Sequence, residues 1–234
     1  MTAVLVVCVF AGFAPTFFLR PFFDAAPLPS VLVIVHGVVY SVWMLLFAVQ
    51  VSLAETGSIR LHRRIGLGGG ALAALMLVLG IATGAEIAQR MTALDELPPG
   101  IPPAGFIFWL SVITAIVFAA MIATAIRFRH QPQVHKRLML IATFLISVAA
   151  FDRLFRYSVF GPLMLTLGWA PWYLLMFAVA DLFLVALAAH DWVKQGRIHA
   201  ATAWASLVVI GAQALPVLLG LSATFDSLMH WLVL

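Results

Sequence analysis

The stretch 31-VLVIVHGVVYSVWMLLFAVQVSL-53 contains no charged side chain. A helix of about 20 such residues crosses the roughly 30 Å of hydrocarbon in a bilayer. A barrel strand would alternate apolar and polar residues over about ten positions, and this run does not. Its polar members recur at helical spacing instead. His36, Tyr40, Trp43, Phe47 and Gln50 follow steps of 4, 3, 4 and 3, which puts them on one stripe of one helix. Buried polar groups in a bilayer need partners, so the stripe is expected to face other helices.

Around this stretch the whole chain reads alike. Of 234 residues, 64% are hydrophobic and 9% charged, against roughly 45–50% and about 25% in soluble domains. So few charges cannot cover a soluble globule, and the apolar content excludes disorder. Cys8 is the only cysteine, which rules out an intrachain disulfide or a cysteine-only metal site. The net charge of +4 is too small for a nucleic-acid footprint, and no nucleic-acid partner is expected. The fold class predicted is all-α, a single integral-membrane bundle of seven transmembrane helices. The spans fall at about 1–19, 31–53, 65–88, 104–126, 137–157, 171–190 and 200–221. A tail from Ser222 to Leu234, carrying Trp231, suits the membrane interface. Breakers stand between the spans: Pro21, Pro27 and Pro29; Gly57; Pro98-Pro99-Gly100 with Pro102-Pro103; Pro132; Gly161-Pro162; and Gly196. The first span lacks the basic flank and small-residue cleavage site of a signal peptide and is expected to stay as a helix.

Charge placement orients the bundle. The connections after spans two, four and six hold Arg60, Arg63, Arg64, Arg127, Arg129, Lys136, Arg137, Lys194 and Arg197. The other side holds Arg20, Arg90, Arg153 and Arg156, beside Asp24, Glu86, Asp95, Glu96, Asp152 and Asp226. Nine cations against four predict a cytoplasmic N-terminus and a periplasmic C-terminus. The pairs Arg63-Arg64 and Lys136-Arg137 read as snorkelling contacts to lipid phosphates.

Two polar clusters follow. Toward the outer side, His36, Tyr40, Glu86, Asp152, Arg153, Arg156 and Asp181 are candidates for a polar cavity taking a quinone head group, a proton or an anionic ligand. Asp181 sits mid-span, where an acid costs about 2.5–3.5 kcal/mol. Side chains lean toward a helix's N-terminus, so Arg153 or Arg156 is expected to reach it; an ion pair is the plainer alternative. At the cytoplasmic edge spans three, five and seven open on a shared pattern: Arg60-Leu61-His62, Gln133-Val134-His135 and Arg197-Ile198-His199. Histidines at one depth suit a transition metal or haem iron. The expected ligands are His62, His135, His199 and His190, with Asp191 and Gln50 behind them; ordinary interfacial histidines are the alternative. Other chemistries lack their marks: there is no GxSxG, Gly68-Gly69-Gly70 opens an apolar helix, and span seven has no lysine for a retinal Schiff base.

Several motifs carry a resemblance: Phe13-Ala14-Pro15-Thr16-Phe17; His36, Trp43 and Gln50; His62-Arg63-Arg64-Ile65-Gly66; His135-Lys136-Arg137-Leu138-Met139; Arg153 or Arg156; Asp181; and Gly196-Arg197-Ile198-His199. Over nearly its whole length the chain resembles a group of bacterial multi-spanning proteins classed as a domain of unknown function. The resemblance implies a helical protein of the bacterial inner membrane. The helix-start histidines are also loosely similar to the cytochrome b561 class, whose haem ligands form two pairs on four core helices, a pattern this chain does not match residue by residue. The leading functional expectation is a metal- or haem-binding protein (haem b, or Fe, Cu or Zn) in electron transfer. The alternatives are an accessory or assembly subunit of a larger membrane complex, and a small-molecule or proton carrier. Expected partners are membrane lipids, other membrane subunits or further copies of the chain.

Overall fold

The uncharged stretch at 31–53 is a helix, and its start is set by one side chain. Ser30 is extended, and its Oγ accepts the Val33 N–H at 3.2 Å, capping a helix end whose first N–H groups have no internal partner. In the computed structural model this helix is α2, Val31–Glu55. It follows α1 (Thr2–Phe13) and precedes α3 (Ile59–Thr92), α4 (Ala104–Arg127), α5 (Pro132–Arg156), α6 (Gly161–Leu167), α7 (Trp169–Gln195), α8 (Ala200–Gly220) and α9 (Ala223–Val233). The structure describes all residues except 24, 26, 95, 96, 98, 99, 159 and 234, and the side chains of the rest except 223–226 and 233. Asp24, Asp95, Glu96, Pro98 and Pro99 therefore lie outside the described residues, as does the side chain of Asp226. Among the described residues there is no strand, and the architecture is all-α.

Among the described residues six helices, α2, α3, α4, α5, α7 and α8, are long and apolar enough to cross a membrane. The first predicted span departs from expectation. Its α-helix stops at Phe13, because Pro15 cannot donate into the ladder, and the chain widens into a π-helical turn over Ala14–Phe18. From Thr2 to Phe18 that reaches about 26 Å, short of a hydrocarbon core of about 30 Å. The helix still packs closely on the bundle: a Cβ on Gly12 would run into the Ala150 carbonyl of α5, so only glycine lets the two backbones approach.

Other boundaries shift for identifiable reasons. Helix α3 begins at Ile59 and α5 at Pro132, so His62 and His135 lie inside helices rather than before them. Pro132 is tolerated because first-turn N–H groups have no partner to lose. The same rule turns Gly161-Pro162, expected as a breaker, into the start of α6. Gly196, at φ 67°, ends α7 in the left-handed conformation and sends the chain back toward α8.

Helix α5 is the axis of the bundle. Over half of its apolar stretch is buried (56%), against 17% for α2 at the periphery. Val31, Val35, Val38, Val42, Leu45 and Val49 form an exposed apolar stripe on α2, at the steps of 3 and 4 that suit a lipid-facing surface. On its other side Trp43 and Phe47 are buried, and the Trp43 indole donates to Thr143 Oγ1 of α5 at 3.3 Å. In the tail helix, Met229 packs with Ala88, Ala104 and Phe108 while Trp231 stays exposed.

Candidate functional site

At the basic end of the bundle every hairpin closes through a histidine or its neighbours. His135 Nδ1 lies 2.8 Å from the Ala125 carbonyl, one of the last in α4, and donates to it. His62 meets α2 similarly, its Nδ1 3.2 Å from the Gln50 carbonyl. The Gln50 side chain competes for that nitrogen. Its amide oxygen belongs beside the Gly66 N–H (3.3 Å) and its nitrogen beside the His62 carbonyl (3.1 Å), which puts the amide nitrogen 2.6 Å from Nδ1. We assign the amide as the donor, since two backbone neighbours fix its orientation. Nδ1 then accepts, and the His62 proton sits on Nε2.

The third hairpin is held by Asp191, which is fully buried. Its carboxylate accepts from Arg137 Nε (3.1 Å) and NH2, from the Thr202 hydroxyl, and from the His199 backbone N–H (3.3 Å), tying α5, α7 and α8 together. Arg137, expected to snorkel to lipid, is buried instead and also donates to Gln133. His199 caps α8, its Nδ1 accepting the Ala201 N–H at 3.1 Å. Burial, and then the Arg137 charge, hold the His199 pKa below its ordinary value, so the neutral ring that can act as this acceptor is favoured.

The expected four-histidine set is therefore not assembled. The rings of His62 and His135 are 6.3 Å apart and nearly perpendicular. His199 is spent as a cap, and His190 points outward, 4.0 Å from Asp191. Among the described residues no group of three His, Cys, Asp or Glu side chains could hold a metal ion. Gln50 does stand behind His62, whereas Asp191 serves an arginine rather than a histidine ligand.

The other end holds a cavity of about 580 Å³. Small-molecule sites occupy roughly 300–1,000 Å³ and are mostly apolar with a few convergent polar groups. Leu110, Leu145, Met176 and Phe177 supply apolar wall, and Phe13, Thr16, Phe17 and Phe18 close it from α1 and its π-helical turn. Of the predicted residues, His36, Tyr40, Asp152, Arg153 and Arg156 line it. His36 stacks on Tyr40 at 4.0 Å, and the Tyr40 hydroxyl donates to the Met76 carbonyl at 3.1 Å. Asp152 is committed within the protein: Arg156 holds it through Nε (3.2 Å) and NH2 (3.1 Å), and the Trp172 indole donates to it at 2.8 Å.

Two expected members do not line the cavity. Asp181 accepts from Gln213 at 3.0 Å; Gln213, not Asp181, reaches the wall. Neither arginine pairs with Asp181, because Arg156 is taken by its own i−4 neighbour Asp152 and Arg153 turns toward Phe13. Glu86 accepts from Ser30 (2.7 Å) and pairs with Arg90 (2.6 Å). Beside His36, the cavity recruits two threonines that the candidate set did not include. Thr16, Thr83 and His36 line it, and Thr16 Oγ1, Thr83 Oγ1 and His36 Nδ1 are buried without a hydrogen-bond partner, the His36 ring lying against the Leu79 backbone. Lone threonines in apolar runs carry no periodic signal, and only the tertiary fold brings these together. No family model, curated protein or solved structure matches the chain.

Proposed function

We propose that the chain is a seven-span protein of the bacterial inner membrane, with its N-terminus cytoplasmic, that binds a small amphipathic molecule in the cavity at its periplasmic side. Charge bias supports the orientation; the first helix is short for a span, and its apolar sequence and its packing on α5 at Gly12 are what support counting it as the seventh. One observation carries the binding role: an apolar chamber of about 580 Å³ has a few polar residues, Thr16, His36, Thr83 and Arg153, in its lining. A buried donor or acceptor left unpaired costs about 1–3 kcal/mol, and a ligand with a polar head and an apolar body satisfies such a site. The role is that of a carrier or receptor for the molecule. Organic extraction of the detergent-purified protein, followed by mass spectrometry, is expected to release one amphiphile near stoichiometry. Extracts no different from those of an unrelated membrane protein would refute the reading.

A metal- or haem-binding redox role is the second reading, favoured by the His62–His135 approach. The fit is half complete. His135 donates through Nδ1 and keeps an Nε2 lone pair, the arrangement usual in metal-binding histidines, but His62 carries its proton on Nε2. Elemental analysis decides: near-stoichiometric Fe, Cu or Zn, lost in a His62→Ala/His135→Ala double variant, would promote this reading.

A further inference from the structure

The two neighbouring arginines at the cavity are used differently. Arg156 spends its guanidinium inside the protein, on Asp152 and on the Tyr173 hydroxyl (3.2 Å). Among the described residues Arg153 makes one hydrogen bond, from NH1 to the Ala149 carbonyl at 3.1 Å, and lies over the Phe13 ring, 4.4 Å from its centroid. No carboxylate stands within 4.0 Å of it among the described residues. A guanidinium has five N–H donors in a planar fork matched to carboxylate or phosphate. The cavity wall thus carries one committed ion pair and one cation with most of its donors unspent. The Asp152 charge lies near it, but the hydrogen bonds of that carboxylate go to Arg156 and Trp172.

We infer that the amphipathic ligand carries an oxyanion head, a carboxylate or phosphate, gripped by Arg153, with its apolar chain running along the wall of Leu110, Leu145, Met176 and Phe177. This deepens the binding reading above and rests on it. Two sources offer the chemistry: a free single-chain acid, and the headgroup of a surrounding phospholipid.

The test uses the full chain in phosphatidylcholine nanodiscs with two fluorescent probes of equal length, cis-parinaric acid and its alcohol. A charge-assisted contact gives the acid about 10–100-fold tighter binding than the alcohol. In Arg153→Gln that preference is expected to collapse to within about 3-fold while the alcohol binds as before, which also shows that the variant is folded. Arg153→Lys, which keeps the charge and loses the fork, is expected to fall between. If Arg153→Gln does not fold, the lysine variant carries the test, and an undiminished preference there counts against the fork. Competition by added phosphatidylglycerol assigns the oxyanion to a lipid headgroup, and lack of competition assigns it to the free acid; both support the grip. Equal binding of acid and alcohol by the wild type overturns the oxyanion and leaves the cavity reading standing. Binding of neither probe overturns both, and an acid preference that survives in Arg153→Gln overturns the role of Arg153.

Discussion

The two ends of the bundle are built from the same polar residue types and finished in opposite ways. At the basic end Asp191 gathers an arginine, a threonine hydroxyl, a backbone N–H and Gln195, whose amide donates at 3.4 Å, so the carboxylate is saturated by its own chain. At the cavity end a histidine nitrogen and two threonine hydroxyls are buried without protein partners, and Arg153, only partly buried, spends one donor on the Ala149 carbonyl. Buried polar groups in proteins are almost always paired. A site where all are paired serves the fold, and a site where several are not points outward to something the protein holds. Histidine content separates the ends poorly; the pairing of the Asp191 cluster against the unpaired Thr16, His36 and Thr83 separates them better, with Ser206 Oγ of α8 an unpaired exception nearer the basic end.

The strongest way to break that contrast is to break the saturated end. Asp191→Ala strands the Arg137 charge in a buried site, and removing one partner of a buried pair costs about 3–5 kcal/mol. Unfolding in mixed micelles is expected to register that loss. A second change, Arg137→Met in the Asp191→Ala background, should recover much of it, since the uncompensated charge is gone. A loss below about 1 kcal/mol would mean that the buried cluster does not hold the fold, and the contrast between the ends would fail.

The cavity end should respond in the other direction. Thr83→Val removes a buried hydroxyl with no protein partner and nearly preserves shape. Stability is expected to stay level or rise by about 1 kcal/mol, while affinity for the amphiphile falls. A clear loss of stability would show that Thr83 is structural. Asp181→Asn sharpens the boundary of the site. The Asn carbonyl still accepts from Gln213, and Asp181 does not line the cavity. Ligand affinity should hold and stability should change by less than about 1 kcal/mol; a tenfold loss of affinity would return Asp181 to the site.

How much of this was legible in the sequence depends on the range of the physics. The apolar runs and the α2 stripe are local, so the all-α class and the positions of six long helices could be read directly. The stripe even named the face of α2 that packs on other helices. Pro15 was visible but was absorbed into an apolar run, because hydropathy does not register a missing N–H. Arg137 was misread because a Lys-Arg pair at a span's edge looks like a lipid contact whether or not an aspartate 54 positions later comes to meet it. Glu86 and Asp181 were wrongly placed in the cavity for the same reason: depth along a helix is legible, but rotation relative to a distant helix is not. The three orphaned atoms were invisible because being unpaired is a property of the assembled site.

The smallest expected effect tests the basic end through protons. The His199 pKa is held below the ordinary 6.5 by burial and by Arg137, with Arg197 and Lys136 acting the same way and Asp191 opposing. A depressed folded-state value means that, as pH falls, the unfolded chain takes up the proton first. Stability is then flat above about pH 6.5 and declines as pH drops below it. Protonation also puts a hydrogen on Nδ1, which can no longer accept the Ala201 N–H, so the α8 cap is lost in the same window. Asn at position 199 caps without titrating. Unfolding midpoints of wild type and His199→Asn, measured from about pH 7.5 to pH 5, should coincide at the upper end and separate at the lower, with the asparagine variant the more stable. Parallel curves would mean that His199 keeps its proton-free cap across the whole range, and that the basic end is insulated from pH as well as saturated.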